Sequence, residues 1–337
     1  MKMMRKNILI MVMGAVLAGW LTGCSGCGEQ KKGEEESAPY EQQSPRFDAD
    51  SAMQFVADQC AFGPRVMNSA AHDSCANYLA NQFERLGAKV TTQEADLKLY
   101  DGTKVAACNI IASYRTDLPT RILLCAHWDS RPWADQDEDE AVQHEPIDGA
   151  NDGASGVAVL LEVARQLQQQ GPSVGVDLIC FDAEDCGMPE WDQKDADSDH
   201  SNTWCLGAQY WSQNLHVKGY QARFGLLLDM VGGMNTVMRK EVFSMREVPS
   251  LVDRVWSTGQ LLGFGNIFVN EMGGGVTDDH IQVMRTGIPC IDIIGSDKEK
   301  GSFSTTWHTQ QDNIQHIDRE VLRAVGQTVL EVVYTEK

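Results

Sequence analysis

Short, wholly apolar runs alternate along the chain with segments whose apolar residues recur every three or four positions. The runs predict buried strands at residues 121–126, 174–181, 223–231 and 290–294, and two further strands at residues 89–97 and 107–114. The periodic segments predict helices at residues 51–60, 70–86, 152–169, 203–215, 249–262 and 318–333. Buried strands that alternate with helices indicate a largely parallel sheet covered on both faces. We therefore expect one α/β domain, a three-layer α/β/α sandwich around a mostly parallel, mixed sheet.

Polar residues stand at the ends of these buried strands. His127 and Asp129 follow one strand, Glu184 and Asp185 follow another, and Asp229 ends a third. The ligand crevice of such a sheet lies outside the carboxyl ends of its strands, so we expect the polar residues to form one site. Zinc binds imidazole nitrogen and carboxylate oxygen, and neighbouring carboxylates repel unless a cation compensates. The candidate metal ligands are His127, Asp129, Asp152, Glu184, Asp185, Asp229 and His308. As an alternative role, Asp152 could cap its own helix.

The first residues have the pattern of a secretory signal. Basic residues 2–6 precede an apolar run at residues 8–21, which is shorter than the roughly 20 residues of a spanning helix. Cys24 directly after Leu-Thr-Gly resembles the bacterial lipobox, in which the cysteine is acylated. We expect a signal peptide at residues 1–23, a flexible polar tether at residues 24–46 and a catalytic domain at residues 47–337. This pattern predicts a lipid-anchored protein of the bacterial cell envelope that faces the periplasm.

Composition narrows the possible partners. The net charge is -20, the pI is about 4.7 and no basic patch stands out, which argues against a nucleic-acid partner. Two segments concentrate the acids, residues 135–145 and 182–199, and we interpret residues 135–140 as a solvated loop. The ten cysteines form no Cys-x-x-Cys pair inside the predicted domain, which argues against a thiolate zinc site. The pairs Cys60/Cys75 and Cys186/Cys205 flank loops and could be oxidised outside the cytosol.

From about residue 50 to the C-terminus, the chain resembles the zinc aminopeptidase (M28) clan. The resemblance rests on an ordered set of motifs: His127-x-Asp129, the Gly-Ala-Asn-Asp-Gly-Ala-Ser-Gly run that contains Asp152, Asp182-Ala-Glu184-Asp185, Leu228-Asp229-Met230 and Trp307-His308-Thr309. The aminopeptidases of this clan use two zinc ions, which activate a water molecule. Their pattern would place His127, Asp152 and Asp229 around one ion and Asp152, Asp185 and His308 around the other. Glu184 would be the base.

Within that clan the chain is most similar to the glutaminyl cyclases. Trp307 directly precedes His308, and the segment Thr277-Asp278-Asp279-His280 closely resembles a segment of the cyclases, although Asp278 could also be a helix N-cap. The resemblance implies one zinc per chain, bound by Asp152, Asp185 and His308, with His127 and Asp129 retained beside it. The animal enzymes have Glu at the position of Asp185. The implied catalytic residues are Glu184, Asp229 and Asp278, and the implied substrate-binding residues are Trp191 and Trp307.

This resemblance implies an activity and a class of substrate. A glutaminyl-peptide cyclotransferase converts the N-terminal glutamine of peptides and proteins to pyroglutamate and releases ammonia, with Glu184 as general acid and base. The alternatives are a di-zinc aminopeptidase and, from another class, a non-catalytic binding ectodomain. Retention of Glu184 and of all three implied zinc ligands argues against the ectodomain.

Overall fold

The computed structural model describes residues 40–193 and 199–337. The predicted signal peptide, Cys24 and the tether up to residue 39 lie outside the described residues. The compact unit is Tyr40–Lys337, so it begins seven residues before the predicted start at residue 47. Among the described helices, none has the length and apolarity needed to cross a bilayer.

Eight strands form one mixed sheet. They are β1 (Lys89–Lys98), β2 (Lys104–Tyr114), β3 (Arg121–His127), β4 (Gly175–Phe181), β5 (Gly225–Asp229), β6 (Thr236–Lys240), β7 (Phe268–Met272) and β8 (Cys290–Asp297). Their order in the sheet is β1-β2-β4-β3-β5-β8-β6-β7. The central strands β4, β3, β5 and β8 are mutually parallel. On one side β2 pairs antiparallel with β4 and with β1, and on the other side β6 pairs antiparallel with β8. The carboxyl ends of the four central strands therefore meet at one edge.

Helices cover both faces of this sheet, which confirms the three-layer arrangement. They are α1 (Ala49–Cys60), α2 (Ala70–Arg85), α3 (Ala154–Gln169), α4 (Leu206–Gln213), α5 (Val242–Glu247), α6 (Pro249–Leu261), α7 (Asp279–Arg285) and α8 (Arg319–Thr335). The larger core cluster packs α1, α2, α3, α6 and α8 against one face, and a smaller cluster packs α4 against the other, where α7 contacts β5. All cysteines in the described part of the chain are free thiols, including the pairs Cys60/Cys75 and Cys186/Cys205.

The predicted strands and helices form close to their predicted bounds, with four omissions. Strands β6 and β7 have no clear hydrophobic period, because β7 is largely exposed and the end of β6 is half-buried, and helices α5 and α7 are only six and seven residues long. One boundary matters for the site. Helix α3 begins at Ala154, so Asp152 precedes the helix and does not cap it. Its carboxylate is therefore available to the edge where the central strands end.

Candidate active site

Three side chains from three loops meet at the carboxyl edge of the sheet. Asp152 precedes α3, Asp185 follows β4 and His308 lies in the loop after β8, and one ligand atom of each lies within 4.8 Å of the others. The Nε2 atom of His308 is 3.2 Å from Oδ1 of Asp185 and 3.6 Å from Oδ2 of Asp152. His308 has a φ of 54°, a left-handed conformation that a non-glycine residue adopts only where its surroundings hold it there. The structure thus brings together the three residues that the sequence resemblance assigns to zinc.

This group fits a divalent zinc ion. Two carboxylates and one imidazole match the donor set of catalytic zinc sites, and all three side chains are buried. Oδ2 of Asp185 is buried without a hydrogen-bond partner, which is costly unless a ligand is bound there. Burial raises the pKa of Asp185, and the nearby charge of Asp152 raises it further. A bound cation would compensate both effects.

His127 and Asp129 lie directly behind this group. Nε2 of His127 is 2.9 Å from Oδ1 of Asp152 and 3.3 Å from Oδ1 of Asp229, and these three residues form a second group whose ligand atoms lie within 4.8 Å. The carboxylate of Asp129 accepts hydrogen bonds from the backbone N–H groups of Glu184 and Asp185, at 3.1 Å each. Asp129 therefore orients the turn that presents Glu184 and Asp185, and it belongs to neither group of candidate ligands.

Glu184 points into the cleft beside the metal group and is not a member of it. The residue before it, Ala183, has a φ of 52°, so this turn at the end of β4 is strained. The thiol of Cys205 donates a hydrogen bond to Oε1 of Glu184 at 3.2 Å. Burial raises the pKa of Glu184 well above its usual value; His127 opposes this rise, and the charges of Asp278 and Asp185 add to it. A buried carboxyl group with a raised pKa is suited to take up and return a proton.

Asp278 faces Glu184, and ligand atoms of the two lie within 4.8 Å of each other. Asp278 is also the N-cap of α7, where Oδ1 accepts a hydrogen bond from the N–H of Asp279 at 2.6 Å, so the capping role considered from the sequence is confirmed. Its Oδ2 has no partner. Burial and the neighbouring charge of Asp229 raise the pKa of Asp278 to about 7. Glu184, Asp229 and Asp278 all line the same cleft.

Indole rings line a cleft of about 400 Å³ above these carboxylates. Trp307 stacks on His308 with 3.8 Å between ring centroids, and the ring of Trp204 lies nearly parallel to that of His308 with 6.1 Å between centroids. Trp191, which the sequence resemblance assigns to the cleft wall, does not line the cleft. It is 40% exposed and packs on His144 and Trp133. Trp204 takes that place, and no periodicity or spacing in the sequence distinguishes it from Trp191.

Sequence reasoning also missed a buried pair beside the metal group. Asp135 belongs to the acidic segment that we interpreted as a solvated loop, but it is 9% exposed and Oδ1 lies 3.2 Å from Nδ1 of His308. Burial would raise its pKa, yet hydrogen bonds from Arg131 and His308 outweigh that effect and hold the pKa well below the usual range. The interpretation of residues 135–140 is therefore wrong for Asp135. The available signal was an arginine four residues before an acid, directly after the His127 motif.

This fold and its site define a class of protein. The chain belongs to peptidase family M28, which matches residues 109–333. Among solved structures, Bacteroides thetaiotaomicron glutaminyl cyclase bound to N-acetylhistamine is 53% identical, with a TM-score of 0.84 over 87% of this chain and 100% of that chain. A leucine aminopeptidase precursor from the same organism is 52% identical, with a TM-score of 0.84 over 88% of this chain and 100% of that chain.

The curated relatives are more distant and longer. Aminopeptidase YwaD of Bacillus subtilis is 26% identical over 257 residues, which are 74% of this chain and 49% of that protein. The chain therefore spans about half the length of this relative. The resemblance to glutaminyl cyclases and to the M28 family is confirmed, while the solved relatives carry the names of two different activities.

Proposed function

We propose that this chain is a glutaminyl-peptide cyclotransferase that converts N-terminal glutamine to pyroglutamate, with one zinc ion bound by Asp152, Asp185 and His308. The observation that carries the proposal is the pair Glu184 and Asp278, two buried side chains that face each other in the cleft beside the metal group. Cyclisation must move a proton from the attacking amine to the leaving amine nitrogen, and two adjacent carboxyl groups with raised pKa values suit that transfer. The 53% identity to a glutaminyl cyclase supports the same activity.

The residues of the cleft account for each part of the reaction. The substrate's α-amine forms a bond to the carbonyl carbon of its own γ-amide, the bond to the amide nitrogen breaks, and ammonia leaves. Glu184 accepts the proton of the attacking amine and returns one to the leaving nitrogen, and Asp278 with Asp229 stabilises the proton in transit. Bound zinc would act as a Lewis acid on the amide carbonyl. The indoles of Trp307 and Trp204 hold the flat side-chain amide, so less entropy is lost when the amine attacks.

A di-zinc aminopeptidase is the second candidate, and one observation favours it. His127, Asp152 and Asp229 form a second group that could hold an ion next to the first. Glu184 would then activate a water molecule instead of an amine. The similarity to a leucine aminopeptidase precursor points the same way. The number of metal ions and the product of the reaction separate the two candidates.

The test is a product assay with a metal count on the same preparation. A peptide that begins with glutamine should lose ammonia and keep all its residues, as seen by mass spectrometry. The same peptide with an acetylated N-terminus should be inert, because the free amine is the nucleophile. We expect one zinc per chain, and activity that disappears with a chelator and returns with zinc. Stepwise removal of N-terminal residues together with two zinc ions per chain would replace the cyclase with the aminopeptidase.

A further inference from the structure

A buried arginine–aspartate pair lies in the loop after β3. Nε of Arg131 donates to Oδ1 of Asp135 at 2.7 Å, and Nη2 donates to Oδ2 at 2.5 Å, which is the two-pronged geometry of a strong charged pair. The side chains are 1% and 3% exposed. A pair that is taken out of water contributes little to stability on balance, so its position suggests another role.

The pair touches two of the three candidate zinc ligands. Oδ1 of Asp135 is 3.2 Å from Nδ1 of His308, and an imidazole nitrogen that faces a carboxylate carries the proton. Nε2 of His308 then keeps its lone pair on the side of Asp185, 3.2 Å away. Nη1 of Arg131 donates to the backbone carbonyl of Asp185 at 3.0 Å and lies 3.5 Å from Oδ1 of its carboxylate. One pair of residues therefore constrains both the tautomer of His308 and the position of Asp185.

The same arginine also supports the wall of the cleft. Its guanidinium carbon lies 4.5 Å from the ring centroid of Trp204 and 5.3 Å from that of Trp133. Trp204 lines the cleft, parallel to the ring of His308. A planar guanidinium between two indoles is held by attraction to both rings, which a lysine ammonium cannot reproduce with the same geometry.

We propose that Arg131 and Asp135 act as a clamp, a pair of positioning residues that holds His308 and Asp185 in the geometry that binds zinc and holds Trp204 in the geometry that binds substrate. The inference rests on the proposed function in taking zinc as the ion. Neither residue touches the reacting atoms. The clamp couples the affinity for metal to the shape of the cleft, because both depend on the position of one guanidinium group.

The first test is the affinity for zinc of Asp135→Asn, measured by competition with a chromophoric chelator. Asparagine has nearly the same shape but removes the charge that orients His308, so we expect zinc to bind about 10–100-fold more weakly. At saturating zinc, kcat should fall while KM stays within a few-fold. Arg131→Lys should weaken zinc binding as well, and should also raise KM because Trp204 loses its stacking partner. Asp135→Glu keeps the carboxylate and should recover part of the zinc affinity.

A second arginine–aspartate pair, in which the aspartate is buried and the arginine is 14% exposed, provides a matched control. Arg121 donates to Asp177 through Nε at 2.5 Å and Nη2 at 2.7 Å, at the opposite end of β3 and β4 from the metal group. Asp177→Asn should lower the melting temperature and leave the affinity for zinc unchanged. Comparing the two variants separates loss of positioning from general loss of stability.

Two outcomes would overturn the clamp. One is an Asp135→Asn variant whose zinc affinity lies within two-fold of the wild type, and the other is an equal loss of affinity in Asp177→Asn. If Asp135→Asn does not fold, the zinc affinity of Arg131→Lys decides in the same way. The comparison needs no substrate, so a wild type that binds zinc without forming pyroglutamate would contradict the proposed function and still leave the clamp testable.

Discussion

Single side chains in this site are assigned to roles by what they touch. Asp129 and Asp185 are both buried acids that contact a histidine, yet Asp129 accepts two backbone hydrogen bonds whereas Oδ2 of Asp185 has no partner. The carboxylate of Asp129, whose two oxygens both accept hydrogen bonds, supports the turn. The carboxylate of Asp185, which has a free oxygen, is available to a metal ion. Sequence alone cannot separate such roles, because both residues follow a buried strand.

The role of Glu184 as a proton carrier is tested by Glu184→Gln. The amide cannot accept a proton, so we expect turnover to fall by about 10²–10⁴-fold, the usual contribution of acid–base catalysis. Zinc content should stay at the wild-type level, because Glu184 does not belong to the Asp152–Asp185–His308 group. Metal analysis and initial rates check the two expectations. In contrast, His308→Ala should lose the metal. A Glu184→Gln protein without zinc would show that the residue is a ligand.

A pair of alanine variants tests whether Trp204, which the structure places in the cleft, or Trp191, which the sequence resemblance assigns to it, binds the substrate. Trp204 lines the cleft, and Trp191 packs on His144 and Trp133 outside its lining. Trp204→Ala should therefore raise the KM for a glutamine peptide several-fold more than Trp191→Ala does. Steady-state kinetics on the two variants check this difference. Equal effects, or a larger effect of Trp191→Ala, would favour the assignment made from the sequence.

At the scale of elements, the sequence predicts the strands and helices whose burial produces a clear pattern of apolar residues. The strands β3, β4, β5 and β8 were found because the sheet is covered on both faces, which makes each of them a continuous apolar run. Strand β7 lies at the edge of the sheet, where exposure removes that signal, and β6 beside it is only five residues long and half-buried at its end. The site was found at the strand ends for the same topological reason. The clamp was missed, because the contact of Asp135 with His308 joins residues distant in sequence, and the local arginine–acid spacing alone does not show that the pair is buried.

The carboxylate of Glu241 at the start of α5 stabilises the fold to an extent that depends on pH. Glu241 is the N-cap of α5: its carboxylate accepts hydrogen bonds from the N–H groups of Phe243 and Ser244, and a third from Val276 in the loop before α7. Burial would raise its pKa, but His280 and these N–H groups outweigh that effect and lower the pKa to about 2. A lowered pKa means that the ionised form stabilises the fold above the ordinary pKa, and that this stability is lost as the pH falls toward 2.

Glu241→Gln should therefore destabilise the protein at pH 7 by about 1–2 kcal/mol, the usual contribution of an N-cap. The difference from the wild type should stay constant down to about pH 5 and shrink below it, because the wild-type carboxylate then begins to lose its advantage over the unfolded state. Urea unfolding of both proteins at pH 7, 5 and 4 checks this. A difference that grows as the pH falls would contradict the assigned direction of the pKa shift.

At the scale of the whole molecule, the folded unit includes residues that look like a tether. The carboxylate of Glu331 on α8 accepts hydrogen bonds from the hydroxyl of Tyr40, the N–H of Gln43 and both the N–H and the hydroxyl of Ser44. The composition of this stretch is polar, so the sequence gives no sign that it packs on the domain. Residues 40–44, the part of the predicted tether that the structure describes, are therefore fixed to α8. Cys24 precedes them in the sequence.

We propose that Cys24 carries a lipid and is the membrane attachment of the protein, as the lipobox resemblance implies. Expressed with its leader in a bacterial host, the wild type should partition with membranes and label with a fatty-acid analogue. Cys24→Ser should do neither and should appear in the soluble fraction, because acyl chains are the apolar group that holds such a protein at a bilayer.

Cys27→Ser, three residues on, is the matched control and should behave as the wild type. The catalytic domain is unchanged in both variants, so each should form pyroglutamate at the wild-type rate in detergent. A Cys24→Ser protein that still sediments wholly with membranes would refute the anchor without affecting the proposed activity.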